Sequence, residues 1–131
     1  MNVQDFLLTP EDLNEEKEVK VSEKLPAFKL RALTGTELDR AQRLATVSYK
    51  AKGGMPMKSQ DQSKFLDKLV EMSVITPELD NSELQEHYGT VGDPAGTARA
   101  MLKAGEYQDL INAIQELSGF DEEDEIEEVK N

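Results

Sequence analysis

The chain has 131 residues, with 27 acidic and 15 basic side chains, a formal net charge of −12, one His, no Cys and no Trp. That length suits one domain with tails, and the missing Cys excludes disulfides, thiolate metal sites and thiol nucleophiles. No stretch approaches the ~18 apolar residues of a membrane span, and strong acidity opposes binding to nucleic acid or anionic lipid across the surface as a whole.

The charge is segregated. Residues 1–24 carry seven acids against three lysines, and residues 121–131 carry seven against one. Between these ends, residues 40–68 hold seven bases against two acids, whereas residues 71–120 hold nine acids against two bases.

Residues 1–16 read as a flexible arm interrupted by an apolar island, Phe6-Leu7-Leu8, followed by Thr9-Pro10-Glu11-Asp12. Such an island either tucks onto the chain's own core or docks on a partner. Alternating residues around Val19 and Val21, and again over residues 27–33, predict two short strands paired as a hairpin over residues 17–33.

Helical signals follow from Thr34. Thr34 and Glu37 have capping-box spacing, and Leu38, Ala41, Leu44, Ala45 and Ser48 extend a 3.6-residue period to about Lys52, before Gly53-Gly54-Met55-Pro56. Ser59 and Gln62 repeat the box ahead of a second helix bearing Phe65, Leu66, Leu69 and Val70, which ends before Pro77. Ser82 and Gln85 open a third, with Gly89 past its end, and Asp93-Pro94 reads as the start of a fourth that reaches Met101-Leu102. Tyr107, Leu110, Ile111, Ile114 and Leu117 give the cleanest apolar face, closed by Gly119.

The expected fold is therefore mainly α: one domain over residues 17–120, about five helices over 34–120 after a short N-terminal hairpin. Residues 121–131 have a single apolar residue, Ile126, in the run Asp121 to Glu128 and read as a disordered acidic tail.

Catalytic chemistry finds little foothold. His87 is the one side chain whose ordinary pKa lies near neutrality, and a lone His on a short amphipathic helix is usually structural or simply exposed. Phosphate-binding glycine loops and the nucleophile-elbow motif are absent, and the acidic tail lacks the glycine turn and alternating ligands of a calcium loop. No enzyme activity, cofactor or metal is expected.

The basic block contains Arg40 and Arg43, and Tyr49 is its one plausible exposed ring. It reads as the solvated faces of two helices, as a nucleic-acid surface, or as a patch that attracts the chain's own tail or an acidic face of another copy. Phe6, Leu7, Leu8, Tyr49, Arg40 and Arg43 are the candidate partner-binding residues.

Three stretches carry a family resemblance. The run from Phe28 through Leu33-Thr34-Gly35-Thr36 to Glu37 resembles the opening of the tail assembly chaperones of Gram-positive phages and prophages, the XkdN-like group. The segment from Thr76-Pro77-Glu78-Leu79 to His87-Tyr88-Gly89 is similar to that family's centre. Met101 to Tyr107, with Leu117-Ser118-Gly119-Phe120-Asp121, resembles its close. The likeness spans residues 28–121, and the preceding hairpin is shorter here, around Lys24-Leu25-Pro26.

The resemblance implies a non-catalytic morphogenesis factor of the host bacterial cytoplasm. It would bind the tape measure protein, keep it soluble while the tail tube forms, and be absent from the mature virion. The tail tube protein and a second copy of the chain are further partners on this view, and neither nucleic acid nor membrane is expected. Chaperones of this group often have a frameshifted longer form, and Val129-Lys130-Asn131 can be encoded as GTA AAA AAC, a slippery sequence. From another functional class, an acidic mimic of nucleic acid that blocks a DNA-binding protein is the competing reading.

Overall fold

The computed structural model describes residues 2–120. The expected acidic tail and the codons of the frameshift expectation fall in residues 121–131, outside the described residues.

After a 3-10 turn, Val3–Phe6, the helices are α1 (Pro10–Leu13), α2 (Gly35–Leu44), α3 (Gln62–Ser73), α4 (Ser82–Tyr88), α5 (Pro94–Met101) and α6 (Ala104–Leu117). The strands are β1 (Glu16–Val19), β2 (Phe28–Arg31), β3 (Thr46–Lys50), β4 (Pro56–Gln60) and β5 (Val74–Thr76). The order in one sheet is β1-β2-β5, all antiparallel, and β3 and β4 form a second sheet by themselves.

This corrects the mainly α expectation. Helices take 50 % and strands 18 % of the structure, in two sheets, so the class is mixed α/β. Two causes account for it. The helix predicted from Thr34 to about Lys52 stops at Leu44, because Thr46-Val47-Ser48-Tyr49 combines β-branched and aromatic residues that lose side-chain freedom in a helix and suit a pleated strand. The other is β5, a three-residue strand between α3 and Pro77 that pairs with β2.

Local capping chemistry sets most helix starts. Thr34 and Glu37 close a reciprocal capping box on α2. Asp61 rather than Ser59 caps α3, its Oδ1 accepting from Lys64 N–H at 3.1 Å, because Ser59 is already paired with Val47 in β4. Asn81 rather than Ser82 caps α4. Gln85, expected to answer Ser82, is buried instead: its Nε2 donates to Leu79 C=O at 2.8 Å and its Oε1 accepts from Gly92 N–H at 3.1 Å. It thereby fastens the loops on both sides of α4.

The core lies between the three-stranded sheet and α3, α5 and α6. Phe28 and Leu30 of β2 belong to one buried cluster with Leu69 and Val70 of α3 and Leu110, Ile111 and Ile114 of α6. Each fully buried Leu, Ile or Phe is worth about 1.5–3 kcal/mol relative to exposure. Ser118 Oγ accepts from Leu33 N–H at 2.9 Å, which ties the end of α6 to the entry of α2.

Candidate functional site

Two apolar surfaces lie outside that core. The first is the N-terminal arm. Thr9 caps α1 in a capping box with Asp12, whose carboxylate accepts from Thr9 N–H at 2.7 Å and from Thr9 Oγ1 at 2.9 Å. Those bonds hold the Asp12 carboxyl below its ordinary range. Phe6, Leu7 and Leu8 remain 68 %, 69 % and 62 % exposed. Leu8, Pro10 and Leu13 wall one side of an open groove of about 560 Å³, with Arg31, Ala32, Thr34 and Glu37 opposite.

The second is the β3–β4 hairpin. The register Val47↔Ser59, Ser48↔Lys58, Tyr49↔Met57 and Lys50↔Pro56 fixes its two faces, because directly paired residues share a face and successive residues alternate. Val47, Tyr49 and Met57 stand on one side. Ser48, Lys50 and Lys58 stand on the other. Every residue of both strands is exposed, Tyr49 at 48 %, and Met55 at the turn is 67 % exposed. Residues 46–60 contain three lysines and no acid.

The hairpin closes itself. Gly53 and Gly54 adopt φ of +90° and +80°, which L side chains rarely tolerate, and let Ala51 N–H reach Met55 C=O at 2.9 Å. At its base Asp61 N–H donates to Ala45 C=O at 2.8 Å.

The candidate residues separate into these regions. Leu8 lines the groove, Tyr49 lies on the apolar face of the hairpin, and Arg40 and Arg43 are exposed on α2, which leads into it. Arg43 forms a pair with Asp39 at 3.0 Å. Val47, Met55 and Met57 are exposed apolar residues that the sequence pattern does not single out: the alternation of residues 46–52 includes Val47 but competes with the helical period leading into it, and Met55 and Met57 lie beyond that run.

Elsewhere the polar clusters join elements. Asp67 on α3 accepts from Tyr107 Oη at 2.8 Å and pairs with Arg99 Nη1 at 2.5 Å, linking α3, α5 and α6. Burial, followed by the bond to Asp67, pushes the Tyr107 phenol above its ordinary pKa. His87 is exposed and meets Tyr88 edge to face. Among the described residues no group of three or more His, Cys, Asp or Glu is placed to hold a metal ion, and no helix is long and apolar enough to cross a membrane.

A family model described as phage XkdN-like tail assembly chaperone protein matches residues 3–130. The chain belongs to that family. It is 32 % identical over 107 residues to the phage-like element PBSX protein XkdN of Bacillus subtilis strain 168, covering 79 % of this chain and 72 % of that one. It is also 30 % identical over 127 residues to YqbN of the same strain, covering 89 % and 85 %. The crystal structure of YqbN superposes with a TM-score of 0.65 at 24 % identity, over 82 % of this chain and 87 % of that chain, so the two share a fold. In this tail assembly chaperone the match extends across both the exposed arm and the hairpin.

Proposed function

We propose that this tail assembly chaperone binds the tape measure protein in the bacterial cytoplasm, keeps it soluble while the tail tube forms, and leaves before the virion is complete. It acts as a binding protein without catalysis. The observation that carries the reading is the β3–β4 hairpin, whose apolar face lies outside a core that is completed without it.

A long helical protein waiting to be enclosed must have its apolar stripes shielded from one another. A five-residue strand presents about 17 Å of face, which matches about three turns of an amphipathic helix. Tyr49, Met55 and Met57 suit such a face: an aromatic ring contributes large area at low entropy cost, and the unbranched methionines adapt to differing helices. Phe6, Leu7 and Leu8 of the arm offer a second contact. The tail tube protein and a second copy are further partners compatible with these surfaces.

The test is co-expression with the tape measure protein encoded in the same phage region. The chaperone should move most of that protein into the soluble fraction, and a Tyr49→Ser, Met57→Ser double variant should lose most of the effect while keeping its own fold. Equal solubility with wild type, variant or no chaperone would remove the basis of the proposal.

A further inference from the structure

We propose that two copies of the chain pair edge to edge through β3, so that their hairpins form one four-stranded antiparallel sheet about a two-fold axis at Ser48.

The backbone decides which edge is open. At the base of the hairpin Asp61 N–H donates to Ala45 C=O at 2.8 Å, and near its turn Ala51 N–H donates to Met55 C=O at 2.9 Å. Hydrogen-bonded and non-hydrogen-bonded pairs alternate along an antiparallel ladder. In the observed register Val47 and Tyr49 therefore bond inward to Ser59 and Met57, while the N–H and C=O groups of Thr46, Ser48 and Lys50 face outward. No other strand pairs with that edge, since β3 and β4 form a sheet by themselves. The opposite edge faces outward at Pro56, Lys58 and Gln60 and lacks one donor, because proline has no N–H. The complete row is the one on β3.

That row is complementary to itself. With Ser48 of each copy opposite Ser48 of the other, across an axis normal to the sheet, Thr46 meets Lys50 at both ends. This is the antiparallel register in which every outward residue of both strands finds a partner. Directly paired residues share a face, so Val47 lies beside the other copy's Tyr49 and the two apolar faces join on the same side.

Charge agrees with this register. Lys50 and Lys58 stand on the other side of the sheet, and Lys50 faces Thr46 rather than a lysine. The two copies of Lys58 are three strand spacings apart, about 14 Å, beyond the screening length of about 8 Å at physiological ionic strength.

Width supplies the reason for a second copy, and here the inference rests on the helix-binding reading above. The strands of one hairpin lie about 4.8 Å apart, less than half the breadth of a helix at about 10–12 Å. Four strands span about 14 Å and present Val47, Tyr49 and Met57 twice. An isolated two-stranded ribbon is marginal in water, and further strands beside an apolar face stabilise it. A five-residue edge is small beside the roughly 800 Å² per partner of a standard interface, so the free chaperone pairs weakly and reversibly.

The chain contains no Cys, so one introduced thiol reports the axis. Hydrogen-bonded partners have Cα atoms about 5.5 Å apart, within the span of about 4.4–6.8 Å that a disulfide bridges. Thr46 and its counterpart, like the two copies of Lys58, are about 14 Å apart. Under mild oxidation of the full chain, Ser48→Cys should form a disulfide-linked dimer at least about tenfold faster than Thr46→Cys or Lys58→Cys. Equal rates at the three positions, a faster rate at either of the others, or no dimer from Ser48→Cys would each overturn the proposal.

A second measurement uses the unmodified protein. On concentrating it from about 20 μM to about 1 mM, the range of a weak encounter, the amide protons of Thr46, Ser48 and Lys50 should move downfield by NMR as they gain acceptors. Those of Lys58 and Gln60 should stay in place, and 1 M salt should keep or enlarge the shifts, because it screens the repulsion between two acidic chains. Shifts confined to the β4 edge, or none, would overturn the pairing. Neither experiment contains the tape measure protein, so a failure of pairing and a failure of that partner are separate results.

Discussion

The guanidinium of Arg31 on β2 grips the carboxylate of Glu37 in the first turn of α2 by both prongs, Nη1 donating to Oε1 at 3.0 Å and Nη2 pairing with Oε2. The same carboxylate accepts from Thr34 N–H at 3.2 Å, so one side chain joins sheet to helix and completes the cap. The bond from Arg31, more than any other cause, holds Glu37 below the usual carboxylate range. A depressed carboxyl pKa stabilises the fold fully above its unfolded value and loses that contribution as pH falls through the folded value. Glu37→Gln keeps a capping side chain but not the ion pair and should cost about 1 kcal/mol at pH 7, since the pair is partly screened. The gap between wild type and variant should stay constant over pH 6–8 and close below about pH 4.3. Urea denaturation across that range checks it.

Gly96 is required by its own helix cap. A Cβ there would lie 2.1 Å from Asp93 Oδ2, while Asp93 Oδ1 accepts from Gly96 N–H at 3.0 Å. Gly96→Ala should therefore push the cap aside and lower stability by about 1 kcal/mol, the usual worth of a capping bond. In an Asp93→Ala background the obstruction is gone, and the same change should be neutral or stabilising by up to about 1 kcal/mol, because Ala is the better helix former. A double-mutant cycle by thermal denaturation reads this sign change directly.

Tyr107 joins α6 to α3 through Asp67, and Arg99 approaches the ring with its Cζ 6.0 Å from the centroid. Tyr107→Phe leaves Asp67 with Arg99 but removes the phenolic donor, and should cost about 1–2 kcal/mol. The raised phenol pKa has its own consequence. Its contribution is present below the unfolded value of about 10 and is lost as pH rises through the folded one. Wild-type stability should therefore fall more steeply above about pH 10 than that of the variant, and the variant's alkaline absorbance titration should lack the latest-ionising component.

Sequence pattern reached the parts of the fold whose chemistry is local. The Thr34–Glu37 box, the Asp93-Pro94 start and the apolar face of α6 each depend on residues within a turn or two, and each stands where the spacing puts it. The first hairpin was legible too, although its leading strand ends at Val19 rather than continuing to Val21. What escaped was decided by competition or by distance. β5 is too short to show a period and exists because β2 offers it an edge. Residues 46–50 satisfied two patterns at once, since Ser48 continues the helical stripe of Leu44 and Ala45 while Val47 and Tyr49 alternate as a strand. Tyr49 could be named as exposed from the sequence, but its neighbours Val47 and Met57 could not, because their common face exists only once β4 has folded back onto β3.

That competition yields a prediction about the hairpin itself. Its turn depends on Gly53 and Gly54 at positive φ, where Ala is strained by about 1 kcal/mol or more per residue. An isolated two-stranded ribbon has little stability of its own to oppose such a loss. The Gly53→Ala, Gly54→Ala double variant should therefore unfold β3–β4 without unfolding the domain, whose core contains no residue from either strand. The run Thr46-Val47-Ser48-Tyr49 that ends α2 is untouched by these substitutions. Far-UV circular dichroism should therefore show helicity kept, with amide exchange accelerated in residues 46–60 and protection kept in α3 and α6. Global unfolding at the same substitutions would mean that the hairpin supports the core, and unchanged exchange would mean that its turn does not need glycine.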